Sequence, residues 1–218
     1  GNGETIDIAS LGHSKALRRS AELLSEGQKP VFEAGLSAQG ALAYADVMLP
    51  IKRGGKRAWR MVEVKSSTSV KGYHRDDAAV QAFLARSSGV PLAEIALAHI
   101  DSSWVYPGGG DYSGLLVEND LTDEAFSRGT EVRSWIEESH GIVAKKKEPR
   151  VSTGEQCSAP YECGFFSYCQ GQEPQAEQPL NWLPGAQSKG LKAHVEAHGV
   201  CELRDVPDAL LNDKQRRV

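Results

Sequence analysis

Hydrophobic residues recur along the first part of the chain with two different periods. Spacings of three to four residues predict amphipathic helices, and short apolar runs bounded by glycine or charged turns predict strands. The predicted order is helix, three strands, helix, strand and helix, at residues 14–26, 30–36, 41–51, 58–66, 75–88, 94–100 and 122–140. A further short strand is predicted through 104–106. Because short turns join the three consecutive strands, we expect antiparallel hairpins in an α/β fold.

The pattern changes near residue 150. Residues 151–190 contain three of the four cysteines and a stretch rich in Pro, Gln and Gly (QGQEPQAEQPLNWLPGAQ). Such a segment is either a linker or is ordered by a bound ion. Helical character returns in KGLKAHVEAHG, at residues 189–199. We therefore predict a core domain at 1–150 and an irregular, cysteine-containing C-terminal appendage at 151–218.

Composition narrows the class of protein. The 218 residues are 40% hydrophobic, with a formal net charge of -4, which is typical of a globular chain and argues against disorder. No apolar run is long enough for a membrane span, so we expect no membrane partner. The acidic balance argues against coating nucleic acid through bulk charge, but basic clusters at 52–57 and 145–150 could contact phosphates.

The ends of the chain also carry expectations. The sequence begins Gly-Asn-Gly without an initiator Met and ends in a charged run, so we expect a domain cut from a longer protein. Without an export signal the expected compartment is the cytoplasm, where cysteines favour metal binding over disulfides.

Three charged residues interrupt apolar strands. Asp46 lies within 41–51, and Glu63 and Lys65 have apolar neighbours in 58–66. Burying a carboxylate is costly unless it is paired or binds a metal. Side chains alternate along a strand, so Glu63 and Lys65 share one face, and pairing of the two strands would bring Asp46 to Glu63. Two carboxylates beside an amine suit Mg²⁺-assisted phosphodiester hydrolysis. The alternative is that Glu63 and Lys65 lie on the solvent face of an edge strand, and that Asp46 is a core carboxylate whose hydrogen bonds are satisfied.

These residues resemble the PD-(D/E)xK nuclease superfamily, in particular its RecB-like branch. The matching residues are Asp46 in Tyr-Ala-Asp-Val, Glu63-Val64-Lys65, and Gln81 on the following helix. The resemblance covers roughly residues 12–105. It implies a restriction-endonuclease-like core with a central mixed β-sheet flanked by helices.

The resemblance also implies roles. Asp46 and Glu63 would bind Mg²⁺ or Mn²⁺, with the Val64 carbonyl as a further ligand candidate. Lys65 would be the catalytic lysine, and Gln81 would match the glutamine motif beside the metal.

Two further residues match more loosely, and parts of the motif depart from the family. Glu33 resembles an additional strand carboxylate, and His13 resembles the histidine at the first helix of some relatives. Ala45 replaces the nominal proline, and Ala85 stands where a tyrosine is often found. The first departure is harmless, since the carboxylate does the chemistry. The second bears on substrate positioning rather than on metal binding.

The cysteines pose a separate question. Cys157, Cys163 and Cys169 form C-x5-C-x5-C, and Cys201 lies downstream. Structural zinc usually shows a closer pair, whereas wider spacings suit an iron–sulfur cluster. Several RecB-like nucleases, including AddB-type ones, carry such a [4Fe-4S] cluster, and the last interval here matches theirs. Either Cys201 supplies the fourth ligand or an upstream cysteine is missing, and ordinary thiols are the alternative.

Two other signals carry less weight. His194 and His198 lie in HVEAH, which is not the zinc-protease order. The stretch 107–111 (PGGGD) lacks the Lys-Ser/Thr of a phosphate-binding loop, so a flexible turn is expected.

The sequence therefore predicts a metal-dependent nuclease acting on DNA, as single strands or duplex ends. A fused or associated helicase or second nuclease domain is an expected partner. The alternatives are a non-catalytic nucleic-acid-binding module with a nuclease fold, and an iron–sulfur or zinc structural protein.

Overall fold

The computed structural model of the chain describes residues 2–173, 176–185 and 188–217. The chain divides into two compact units, Gly1–Glu148 and Pro149–Val218. The boundary that the sequence analysis drew after residue 150 lies close to this division.

The first unit contains a six-stranded mixed sheet. In spatial order, which is also chain order, the strands are β1 (Glu4–Thr5), β2 (Val31–Ala38), β3 (Ala41–Arg53), β4 (Lys56–Lys65), β5 (Leu92–Ile100) and β6 (Leu116–Asp120). The β2–β3 and β3–β4 pairs are antiparallel, which confirms the predicted hairpins. The β4–β5 pair is parallel, so the carboxyl ends of these two strands lie side by side.

Five helices accompany the sheet. They are α1 (Ile8–Leu11), α2 (His13–Glu26), α3 (Gly72–Ser87), α4 (Thr122–Ser127) and α5 (Gly129–Val143). The predicted helix at 14–26 is confirmed as α2, which ends at Gly27 with the left-handed φ of 63° that glycine adopts readily. Helix α3 contacts β2, β3 and β5. The mixed α/β architecture expected from the sequence is therefore present.

Three parts of the pattern differ from prediction. The predicted strand at 104–106 is wrong, because Trp104 donates its indole N–H to the Ser113 carbonyl and belongs to a loop. The strand that pairs with β5 on the side away from β4 is β6, further along the chain. The predicted helix at 122–140 is two helices, α4 and α5, which meet at Arg128. Strand β1 was not predicted, since two residues show no period.

The two faces of the sheet bury different side chains. Met48 of β3 and Met61 of β4 are fully buried in the main core with Ala78 and Ala82 of α3. The next residue, Val62, belongs to a smaller cluster on the other face. Because side chains alternate, the odd-numbered residues that follow Met61 in β4 also point toward α3. This alternation positions the candidate site.

Helix α2 is attached to β2 by a close approach. The buried Ser20 hydroxyl accepts the Gly35 N–H at 2.8 Å and donates to the Ala16 carbonyl at 2.8 Å. A Cβ at Gly35 would lie 3.0 Å from a Leu17 methyl and 3.1 Å from the Tyr44 ring. Glycine therefore allows α2 to pack near β3.

The second unit is largely irregular, as expected. Its described residues contain two α-helices, α6 (Phe166–Gln172) and α7 (Lys189–His198), among single-turn 3-10 helices. Helix α7 confirms the helical character predicted for the tail, whereas α6 forms where little regular structure was expected. Leu183, Leu191 and Val206 make a small buried cluster. In the described residues of both units, no helix is long and apolar enough to cross a membrane.

Candidate active site

Asp46 and Glu63 face each other across two paired strands. The β3–β4 register includes Val47 opposite Val62, and one further step brings Asp46 opposite Glu63. Asp46 Oδ2 accepts the Val64 backbone N–H at 2.7 Å, which fixes the carboxylate against β4. The two acids predicted to converge therefore do so.

Glu63 is a buried carboxyl group, with 4% of the residue exposed. Its Oε1 accepts from Lys65 Nζ at 2.6 Å, and its Oε2 accepts from Gln81 Nε2 at 2.8 Å. Burial raises the pKa of Glu63 to about 7, and the negative charge of Asp46 adds to the rise. The bonds from Lys65 and Gln81 offset only part of it. Such a carboxyl group ionises more readily when further positive charge is brought to it.

Lys65 is held between two carboxylates. Besides Glu63, its Nζ donates to Asp77 Oδ2 at 2.5 Å. Burial lowers the pKa of Lys65, but the bonds to Asp77 and Glu63 outweigh burial and raise the pKa above its usual value. Lys65 is therefore a protonated donor at neutral pH.

Asp77 is a site residue that the sequence analysis missed. It lies on α3 one turn before Gln81, whose Nε2 donates to Asp77 Oδ1 at 3.2 Å. Burial raises the pKa of Asp77, but the hydrogen bonds from Lys65 and Gln81 together with the charge of Lys65 outweigh burial, so the pKa is lowered. The i, i+4 spacing from Gln81 was the signal that could have identified Asp77.

Two histidines lie beside this network and were also missed. His99 is the register partner of Lys65 on β5. His74 is buried at the start of α3, and its Nδ1 accepts the Lys71 backbone N–H at 3.2 Å. Burial lowers the pKa of His74, and the charges of Lys65 and Lys71 lower it further. His74 is thus a neutral ring next to a cation.

Glu33 lies on β2, between Phe32 and Ala34, which pair with Val47 and Ala45 of β3. It therefore interrupts the β2–β3 ladder at the level of Asp46. Its φ of 58° is in the left-handed region, which is strained for a residue other than glycine. Strain of this kind tends to persist at functional sites. The position agrees with a supporting carboxylate, and its role stays a prediction.

His13 begins α2 and approaches β3, the strand that carries Asp46. A 2.7 Å hydrogen bond joins His13 Nδ1 to the hydroxyl of Tyr44, two residues before Asp46. The close packing of α2 at Gly35 brings this histidine to β3.

The donor set suits a hard divalent cation. Among the described residues, no three His, Cys, Asp or Glu side chains converge as a ready-made metal site. Mg²⁺ commonly keeps several waters and uses only one or two carboxylates, which Asp46 and Glu63 can provide. Gln81 Oε1 is buried and accepts no hydrogen bond within the described part of the chain. The Val64 carbonyl remains a predicted ligand.

The basic turn does not lie at this site. Residues 52–57 connect β3 to β4, and Asp46 is seven residues before Arg53, or roughly 23 Å along the strand. Arg53 pairs with Glu94, and Arg57 donates to the Glu26 carbonyl. These two arginines therefore make contacts within the fold, away from Asp46.

The four cysteines do not form a cluster. Cys157 is buried, Cys163 and Cys169 are half-buried, Cys201 is exposed, and all are free thiols. Cys163 donates its backbone N–H to the Cys157 carbonyl at 2.8 Å. In the described ranges no three of them meet. A [4Fe-4S] or zinc site in this unit stays a prediction.

Comparisons with known proteins add little. No family model matches the chain, and no curated protein matches it. Among solved structures, the crystal structure of SSO0001 is similar, with 18% sequence identity, a TM-score of 0.34, and coverage of 76% of this chain and 71% of that one. A likeness of this size assigns neither a fold family nor a function.

Proposed function

We propose that the chain is a metal-dependent nuclease that hydrolyses DNA phosphodiester bonds, with the restriction-endonuclease-like core of the RecB-like PD-(D/E)xK enzymes. One observation carries the proposal. Glu63 is buried in the sheet, paired with Lys65 and opposed by Asp46. Burying a carboxyl group beside a second acid opposes folding. An arrangement that is kept despite this cost is typical of a functional site.

A Mg²⁺ or Mn²⁺ ion fits the oxygens of Asp46 and Glu63, with the Val64 carbonyl as a further ligand. When bound, such an ion polarises a phosphate and lowers the pKa of a water. Gln81 holds Glu63 Oε2 in place, and the Val64 N–H holds Asp46. These contacts leave both carboxylates preorganised for a cation.

Lys65 acts as a charged donor in this proposal. Because its pKa is raised, it keeps its proton at neutral pH and cannot serve as a general base. It instead donates to the attacking water or to a phosphate oxygen, where negative charge develops. Asp77 also holds the ammonium group and acts as a positioning residue.

The proposed substrate is DNA, as single strands or duplex ends, and the proposed setting is cytoplasmic DNA repair, recombination or defence. A fused or associated helicase or second nuclease domain fits this role. The cysteines of the second unit are candidate ligands for a structural [4Fe-4S] cluster or zinc.

A second candidate function is a non-catalytic nucleic-acid-binding module with the same fold. The observation that favours it is the closed network in which Lys65 already satisfies Glu63 and Asp77. In a non-catalytic module, this network would only stabilise the strands.

DNA cleavage separates the two functions. The purified chain is incubated with linear and circular duplexes and single strands in Mg²⁺, Mn²⁺ or EDTA. We expect hydrolysis that depends on the metal and is absent in EDTA. Binding that needs no metal, with no cleavage at any metal concentration, would overturn the nuclease and favour the binding module.

A further inference from the structure

An exposed loop follows the strand next to Lys65. Residues 101–115 join β5 to β6. His99 pairs with Lys65, and the Ile100 N–H donates to the Ser67 carbonyl at 2.9 Å, so β5 ends beside the segment that follows β4. Asp101 is two residues past His99, or about 7 Å along the strand. The loop therefore leaves the sheet at the end that carries the candidate site.

Three aromatic rings of this loop pack together, with two of the three pairs stacked and the Trp104–Tyr106 pair tilted by 44°. Tyr106 and Tyr112 lie 5.3 Å apart at an interplanar angle of 23°, and Trp104 and Tyr112 lie 6.2 Å apart at 22°. Trp104 is fixed by its bond to the Ser113 carbonyl, and the Tyr106 hydroxyl accepts the Gly110 N–H at 2.7 Å. The ring planes are therefore held by the loop backbone.

The stack is outside the hydrophobic core. Tyr106 is 48% exposed and Tyr112 is 62% exposed, and neither belongs to a buried cluster of the described residues. A stack that served only to close the loop would be expected to bury its faces. Asp101 and Asp111 accept bonds from Ser103 and Ser113, so the carboxylates of the loop shape its turns.

Half-exposed, parallel aromatic faces are suited to nucleobases. Bases stack on such faces with little sequence preference, and each base contributes substantially to the affinity of single-strand binding proteins. In an intact duplex the bases are already stacked on one another, so the matching ligand is a single strand.

We propose that Trp104, Tyr106 and Tyr112 form a stacking platform for unpaired bases of single-stranded DNA, adjacent to the phosphodiester presented to Lys65. The inference rests on the proposed nuclease function, since it names the strand form that this site receives. Tyr112 is the most exposed of the three rings and takes the first base.

The test compares two labelled strands of about 12 nucleotides, oligodeoxythymidylate and an abasic strand of equal length. Affinities are measured by fluorescence anisotropy in EDTA for the wild type, Tyr112→Leu and Tyr112→Phe. We expect the wild type to prefer the strand with bases. In Tyr112→Leu this preference should fall by roughly 5- to 150-fold, the contribution of one stacked base. Tyr112→Phe keeps the ring and should keep the preference.

Affinity for the abasic strand reports folding of each variant, because it depends on phosphates alone. Equal base preference in the wild type and Tyr112→Leu would overturn the platform, as would an equal loss in Tyr112→Phe. Cleavage of the same strands in Mn²⁺ is scored separately. Cleavage by the wild type with no base preference would contradict the platform but not the nuclease function. Base preference without cleavage would contradict the nuclease function but not the platform.

Discussion

Replacement of Lys65 by alanine is expected to lower the rate of DNA hydrolysis by about 10²–10³-fold, the usual effect of removing one preorganised donor from a reacting oxygen. Lys65 carries its proton at neutral pH because Asp77 and Glu63 hold it. Alanine removes the donor and leaves Glu63 with the Gln81 bond. The fold should survive, since Glu63 can take up a proton instead of remaining an unpaired buried charge. Single-turnover rates at saturating DNA measure the loss without a contribution from binding.

Lys29→Ala is the matched control for this change. Lys29 is an exposed lysine of the same unit, paired with Glu4 at 3.0 Å, and exposed pairs contribute little. We expect its cleavage rate to equal that of the wild type. A Lys65→Ala protein that cleaves as fast as Lys29→Ala would remove Lys65 from the mechanism.

Replacement of Glu63 by glutamine is expected to abolish cleavage and, in alkaline solution, to stabilise the protein relative to the wild type. Cleavage fails because the amide lacks the charge that a divalent cation requires. Stability changes because the pKa of Glu63 is about 7 in the folded protein, above the 4.5 of an unperturbed glutamate. The folded wild type therefore binds this proton more tightly than the unfolded chain does.

The direction of the pH effect follows from that raised pKa. The stabilising contribution of protonated Glu63 is complete below pH 4.5 and is lost as pH rises through about 7. The glutamine of Glu63→Gln does not titrate, so this loss is absent in the variant. As pH rises from below 4.5 to above about 7, the free energy of unfolding of the variant should increase by about 3 kcal/mol relative to that of the wild type. Urea unfolding in EDTA, repeated across the pH range, measures the difference. Glu22→Gln, at an exposed position on α2, should track the wild type, and a Glu63→Gln curve parallel to both would contradict the buried charge.

The heart of the site could be anticipated from sequence because strand geometry is regular. Alternation along β4 puts Glu63 and Lys65 on one face, and the β3–β4 hairpin register then brings Asp46 into line. An acidic residue within an apolar run can be recognised from the amino-acid sequence alone. Gln81 followed from the resemblance, and in the structure its Nε2 donates to Glu63.

Other parts depend on three-dimensional packing. Asp77 reaches Lys65 only because α3 lies across β3 and β5. Its i, i+4 spacing from Gln81 marks a shared helix face, but it does not show that this face meets Lys65. The positive φ of Glu33 arises from the pairing of β2 with β3 in the folded protein. The 104–106 segment looks like a strand because aromatic and branched residues favour strands. Stacking with Tyr112 and the bond to Ser113 instead hold it in a loop.

The dependence of DNA cleavage on Mn²⁺ concentration, compared between the wild type and Asp46→Asn, tests the central claim most directly. Asp46 is held by the Val64 N–H and faces Glu63, so the amide should keep the fold but lose a metal ligand. The account predicts saturable, Mn²⁺-dependent product formation by the wild type and no product from Asp46→Asn at any Mn²⁺ concentration. Superimposable curves for the two proteins, or cleavage that continues in EDTA, would contradict it.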